Sequence, residues 1–131
     1  MRIILDTNVL IATFIARGAC AKLFEHCIIN HTLITSEFIL SEVTGKLAQK
    51  FKSSDERIIQ VSELLRSRCY IIELEQPVCR DPDDDNILAA ALAGECVCII
   101  TGDKDLLVLE NFAGINIVSP NEFAEFESRF V

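Results

Sequence analysis

Carboxylates stand at the ends of apolar runs in this chain. Asp6 closes Ile3-Ile4-Leu5, and Asp103 follows Cys96-Val97-Cys98-Ile99-Ile100 after two residues. Glu42 lies inside an apolar-periodic segment, and Asp81-Pro82-Asp83-Asp84-Asp85 heads another. Acids in such places lose hydration and repel one another if they converge, so they require a compensating cation. Hard oxygen donors of this kind suit Mg²⁺ or Mn²⁺. An ion held by them lowers the pKa of a bound water and makes it a nucleophile. The pattern therefore points to metal-assisted phosphodiester hydrolysis with no covalent intermediate.

Each acid also has a simpler job open to it. Asp6, before Thr7-Asn8, can cap the next helix. Asp81 reads as an N-cap with Pro82 in the first helical position, and Asp83 and Asp84 suit the first turn, where acids favour the helix dipole. Asp85, one turn beyond Asp81, is placed to reach an ion. Asp103 and Asp105 read as two ligands, or as one ligand and one cap for Leu106 onward. Around them, Asn8 can donate to Asp6 or to a metal-bound water, and Thr7 can satisfy nearby backbone groups. Thr101 can hold a carboxylate or a phosphate, and Gly102 suits a tight turn. No Ser-His or Cys-His arrangement competes. His26 and His31 fall in or near packing segments, and His31 reads as a strand-edge or satisfied histidine.

The elements that must position these acids follow from periodicity. Residues 2–5 read as a buried strand and 8–15 as a helix, broken at Arg17-Gly18. A second helix spans 19–29 with Leu23, Cys27 and Ile28 inward, and a strand spans 31–35. Ser36 caps a helix with Phe38, Ile39, Val43 and Leu47 on one side and Glu42 beside that stripe. After a polar break at 52–55, a helix capped by Ser54 or Asp55 runs to about 68, and a strand covers 70–74. An Ala-rich helix runs from Asp81 to Leu92 or Ala93 and stops at Gly94. Strands at 96–100 and 115–118 follow, then a terminal helix opened by Pro120 and carrying Phe123, Phe126 and Phe130. Alternating strands and helices imply an α/β fold, one domain over residues 1–131, with a mostly parallel central sheet. Ligands in such sheets bind outside the carboxyl ends of the strands, where Asp6 and Asp103 fall.

Composition bounds the function. The net charge of -8 argues against coating nucleic acid through a general basic surface. It leaves a nuclease open, because acids in a metal pocket are neutralised locally by the ion. Eight Phe against one Tyr and no Trp indicate packing, not stacking platforms. The six Cys include no C-x-x-C pair and no zinc-type spacing, so they read as buried, reduced, small hydrophobes. Met1-Arg2 runs directly into a strand, and no apolar stretch is long enough to span a bilayer. The expectation is a cytoplasmic protein with no membrane association.

Taken together, these motifs resemble the PIN domain, and within it the bacterial VapC-like ribonucleases described as toxins of toxin–antitoxin systems. The resemblance rests on Ile4-Leu5-Asp6-Thr7-Asn8-Val9-Leu10, Ser36-Glu37 with Ser41-Glu42-Val43, Cys79-Arg80-Asp81-Pro82-Asp83-Asp84-Asp85 before Ile87-Leu88-Ala89, and Val97 through Thr101-Gly102-Asp103-Lys104-Asp105-Leu106. It implies a PIN-like sheet with helices on both faces and a metal-dependent endoribonuclease. Asp6, Glu42, Asp85 and Asp103 would be the catalytic acids and the ligands of Mg²⁺ or Mn²⁺, with Asn8, Thr101 and Asp105 in support. Asn86 departs from the basic, aromatic or small residue common after the third acid. The resemblance also implies a homodimer and a cognate antitoxin protein. An RNA substrate needs positive charge beside the acids. Arg17, Lys22, Lys46, Lys50, Arg80 and Lys104 are the candidates, with Lys46 and Lys50 expected to set the salt dependence of binding. Two other classes fit acids at sheet ends: a phosphatase or receiver-like phosphoacceptor, although Asp6-Thr7-Asn8 lacks the second Asp of a D-x-D pair, and a non-catalytic interaction module.

Overall fold

Ile3, Ile4 and Leu5 are each at most 2% exposed, as are Cys98, Ile99 and Ile100. Consecutive strand residues point to opposite faces, so both faces of the sheet are covered at these two strands. The computed structural model describes residues 1–16, 18–73 and 82–130, with the side chains of 82–85 outside that description. Among the described residues, six strands form one sheet: β1 (Arg2–Leu5), β2 (Thr32–Ser36), β3 (Tyr70–Ile72), β4 (Cys98–Ile100), β5 (Asn111–Phe112) and β6 (Ile115–Val118). Their order is β3-β2-β1-β4-β6-β5, parallel throughout except for the β5–β6 pair. The helices are α1 (Thr7–Ile15), α2 (Ala19–Asn30), α3 (Glu37–Gln49), α4 (Asp55–Arg68), α5 (Pro82–Ala93), α6 (Lys104–Leu107) and α7 (Phe123–Phe130).

This order matters for the site. From β1 the chain moves outward to β2 and β3, then returns through α5 to β4 on the other side of β1 and continues outward again. The strand order thus reverses between β1 and β4, and a crevice opens at their carboxyl ends.

Local chemistry sets the helix ends. The Ser36 hydroxyl accepts from Ile39 N, and the Ser54 hydroxyl accepts from Arg57 N. Ser119 and Glu122 form a reciprocal capping box with Pro120 between them, which starts the turn leading into α7. The guanidinium of Arg66 forks onto Glu37 and joins α4 to α3, holding that exposed carboxyl below its usual range.

Several expectations shift. The second strand starts at Thr32, and the strand placed at 96–100 starts at Cys98, although Cys96 is buried ahead of it. On α2, Leu23 and Ile28 pack half-buried against the core as expected, but Phe24 is the fully buried partner of Cys27, and on α3 Leu40 in place of Phe38 joins Ile39 and Val43. The cap offered for Leu106 onward corresponds to the single-turn α6, whereas periodicity gives no sign of the two-residue antiparallel β5. Gly102 needs no special backbone: its φ is ordinary and a Cβ there would meet nothing. The cap assigned to Asp81, the strand end at Leu74, and Cys79, Arg17 and Arg80 lie outside the described residues.

Gly94 ends α5, but for space. A Cβ on it would lie 2.6 Å from Ile34 Cγ2. The left-handed residue is the next one, Glu95, with φ 53°. Arg2 Nε donates to the Gly94 carbonyl at 2.6 Å, placing a cation at the negative end of the helix.

Five cysteines are described, all as free thiols. Burial pushes the Cys27, Cys69, Cys96 and Cys98 thiols up to about 12. These four should therefore resist a thiolate-selective reagent in the folded protein at pH 8 and react fully in denaturant. Mass spectrometry of pulse-labelled protein reads the difference. Rapid native labelling at Cys96 or Cys98 would contradict the packing. Among the described residues, no single helix is long and apolar enough to cross a membrane.

Candidate metal-binding active site

Asp6 leaves the carboxyl end of β1 and begins α1. Its backbone N–H donates to Ile100 O of β4 at 2.9 Å, which pins it at the reversal of strand order. Its two carboxylate oxygens have separate partners. Oδ1 accepts from Thr7 N at 2.8 Å, and Oδ2 accepts from the Thr101 hydroxyl at 2.6 Å. Asp6 thus caps α1 and also lines the crevice, since the cap bond fixes its carboxylate there.

Thr101 is fully buried just past β4 and works in two directions. Its hydroxyl donates to Asp6, and its oxygen accepts from Asp103 N at 3.0 Å. Asp103 in turn caps α6, with Oδ1 accepting from Asp105 N at 2.9 Å. Of the two readings of Asp103 and Asp105, the structure has Asp103 as both cap and pocket wall. Asp105 is exposed and lies in the first turn of α6.

Glu42 comes from the middle of α3. It is half-buried beside the stripe of Ile39, Val43 and Leu47. The Thr7 hydroxyl, itself buried, donates to Glu42 Oε1 at 2.9 Å. In place of the backbone partner its position suggests, the Thr7 hydroxyl joins the first and third helices through a carboxylate. No spacing rule in the sequence relates residues 7 and 42. A Thr beside a site acid was the available signal.

Asp6, Thr7, Asn8, Glu42, Lys46, Asp103 and Leu106 line a cavity of about 120 Å³. That is room for an ion with a few waters. Three carboxylates from three distant parts of the chain meet there. The donors are hard oxygens, and among the described residues Lys46 is the one cationic side chain in the lining. That set fits a hydrated Mg²⁺ or Mn²⁺ and does not fit a softer ion needing nitrogen or sulfur. Asp85 lies in the first turn of α5, whose backbone follows β3 on the way back to the crevice; its side chain, with those of Asp83 and Asp84, lies outside the described residues.

The basic candidates separate. Lys46 lines the cavity, one helical turn after Glu42. Lys50 lies over the Phe51 ring, 5.7 Å from its centroid, and Lys22 and Lys104 are exposed. A larger cavity of about 460 Å³ is lined mainly by apolar residues of α1, α2 and α4, among them Phe14, Phe24 and Ile28. It contains no cluster of acids, so its size does not make it the site of hydrolysis.

A sequence model of the family described as PIN domain matches residues 2–105. The Uncharacterized protein MJ1680 of Methanocaldococcus jannaschii is 31% identical, in an alignment that covers all of this chain and 94% of that relative. Among solved structures, a chain from the crystal structure of VapBC2 from Rickettsia felis bound to a DNA fragment from their promoter superposes with a TM-score of 0.67. That match covers 91% of this chain and 98% of the other at 16% identity, which supports likeness of fold.

Proposed function

This chain belongs to the PIN domain family, whose members are generally nucleases, and we propose that it is a metal-dependent endoribonuclease acting as the toxin of a toxin–antitoxin pair. The observation that carries the nuclease reading is the convergence of Asp6, Glu42 and Asp103 on one small cavity where the strand order reverses. The toxin reading is supported by the sequence resemblance to VapC-like proteins and by likeness of fold to a chain of the VapBC2 complex. An antitoxin protein and a second copy of the chain are the partners that go with it.

In this reading Asp6, Glu42 and Asp103 hold Mg²⁺ or Mn²⁺, with Asp85 brought in by α5. The ion, when bound, supplies counter-charge and a water acidified enough to attack phosphorus. The chain's own residues do the rest. Thr101 and Thr7 hold the Asp6 and Glu42 carboxylates in fixed orientation, so little reorganisation is needed on binding. Lys46 is placed to contact a phosphate oxygen at the cavity mouth, and Asn8, exposed at the rim, offers an amide donor.

The test is cleavage of a mixed panel of single-stranded and structured RNAs by purified protein with Mn²⁺ or Mg²⁺. Cuts should appear with metal and vanish with excess chelator. Absence of cleavage across the panel with either metal would sink the assignment. A second variant probes the support of the acids. Thr7→Val keeps the side-chain shape but removes the donor to Glu42, and should weaken metal binding roughly 10–100-fold with the fold retained. Unchanged metal titration in that variant would show that the Thr7–Glu42 bond is irrelevant to the site.

A further inference from the structure

At the opposite end of the sheet, His26, His31 and Glu127 come together from α2, the start of β2 and α7. Their donor atoms all lie within 4.8 Å of one another. His26 Nε2 is 2.7 Å from Glu127 Oε2, and His31 Nε2 contacts the same oxygen. Both rings therefore turn the same nitrogen toward one carboxylate. Their other nitrogens are occupied: His31 Nδ1 lies 3.2 Å from the Met1 amine, and His26 Nδ1 lies 3.3 Å from Asn30 Nδ2. The His31 side chain is 8% exposed and packs edge-on against buried Phe123, so its ring is held in place. His26 is more open, with 44% of its side chain exposed, which leaves a path from solvent.

We infer that His26, His31 and Glu127 form a second metal site, selective for Zn²⁺ or a similar borderline ion, whose three protein ligands tie α7 to α2 and to the start of β2. Two imidazole nitrogens and one carboxylate oxygen, with a fourth position open to water, match the donor set and number that Zn²⁺ accepts. The same set is a poor one for Mg²⁺, which prefers oxygen. Bonds of about 2.0–2.1 Å place tetrahedral donors roughly 3.3 Å apart. Glu127 therefore has to withdraw from His26 by about half an ångström, which a half-exposed side chain on a terminal helix can do. A ring that ligates through Nε2 carries its proton on Nδ1, so in the bound form the Asn30 amide turns to present its oxygen to His26 and the Met1 amine gives way to water at His31.

Position decides the role. Met1 and His31 precede the paired strands β1 and β2, whereas Asp6 follows β1. The two sites are thus separated by the length of the strand, roughly 16 Å. The ion cannot take part in chemistry at the acids. It would fix α7, of which only Phe123 is fully buried, to α2.

Cobalt distinguishes the two sites, because four-coordinate Co²⁺ with nitrogen donors absorbs strongly in the visible and six-coordinate oxygen-bound Co²⁺ does not. Titrating the intact protein with Co²⁺ should develop strong bands that saturate at one ion per chain and are discharged by an equivalent of Zn²⁺. The bands should survive in Asp103→Asn and disappear in His26→Ala and in Glu127→Gln, two substitutions at side chains open enough for the fold to tolerate. Strong bands missing from the wild type, persisting in both of the latter variants, or lost only in Asp103→Asn would overturn the site.

Discussion

Asp6→Asn should abolish RNA cleavage while leaving the protein folded and, without metal, about as stable as the wild type. Asn is as good an N-cap as Asp, so the start of α1 survives the change. The amide has one acceptor oxygen where the carboxylate has two. It can keep the bond from Thr7 N, but the donation from the Thr101 hydroxyl is lost and replaced only by its own NH₂ donating to a Thr101 oxygen that already accepts from Asp103 N. That loss costs about 1 kcal/mol. Against it stands relief of repulsion, because Asp6, Glu42 and Asp103 share one cavity and one negative charge is removed. The functional effect has no such compensation. Losing a charged ligand of the ion removes several kcal/mol of stabilisation, and about 4 kcal/mol is roughly a thousandfold in rate. Single-turnover cleavage at saturating Mn²⁺, with denaturant unfolding in chelator, measures the two arms separately. A variant that unfolds without metal would show that Asp6 acts chiefly through structure. One that cleaves within tenfold of wild type would remove it from the site.

Gly94→Ala should cost about 1–3 kcal/mol of stability. The added methyl carbon would sit 2.6 Å from Ile34 Cγ2, 3.1 Å from the Ala90 carbonyl and 3.3 Å from Ile72 Cδ1. Ile34 is in the core and pairs in register with Ile4, so it has no free direction in which to move. The end of α5 must lift from β2 instead. For a chain of this length the midpoint of thermal unfolding should fall by about 5–15 °C. Truncating the obstacle gives the control. In Ile34→Ala combined with Gly94→Ala, the losses should sum to less than their separate values by about 0.5–3 kcal/mol. Strict additivity would mean that the two side chains do not collide. Because α5 also carries Asp85 in its first turn, a lifted helix should lower cleavage as well as stability.

The sequence exposed the frame of this molecule more readily than its fittings. Buried parallel strands read clearly at Ile3-Ile4-Leu5 and Cys98-Ile99-Ile100, because burial on both faces leaves an uninterrupted apolar run. Ser36 and Ser54 announced their helices because an N-cap acts within three residues. The acids Asp6 and Asp103 were legible for a related reason: a charge that closes a buried strand is out of place unless something uses it. What stayed hidden depends on contacts between distant segments. The Thr7–Glu42 bond joins α1 to α3 across 35 positions, and the His26–Glu127–His31 cluster joins residues about a hundred positions apart. His31 was legible only as a satisfied histidine, which it is, without any sign of the carboxylate that satisfies it. Gly94 carried the right boundary for a different reason, since a glycine that ends a helix looks the same whether it supplies a left-handed turn or merely space. Here Glu95 takes the turn and Gly94 supplies the space.

The central claim is that four acids from distant segments bind one kind of hard cation at the reversal of strand order. Diffraction from crystals soaked in Mn²⁺, with the ion located by its anomalous signal, tests it most directly. The account predicts manganese bound by the Asp6 and Asp103 carboxylates at about 2.0–2.2 Å. Glu42 and Asp85 should complete the site directly or through a bound water. Manganese held elsewhere on the chain, or no ion near Asp6 and Asp103 at saturating Mn²⁺, would contradict it.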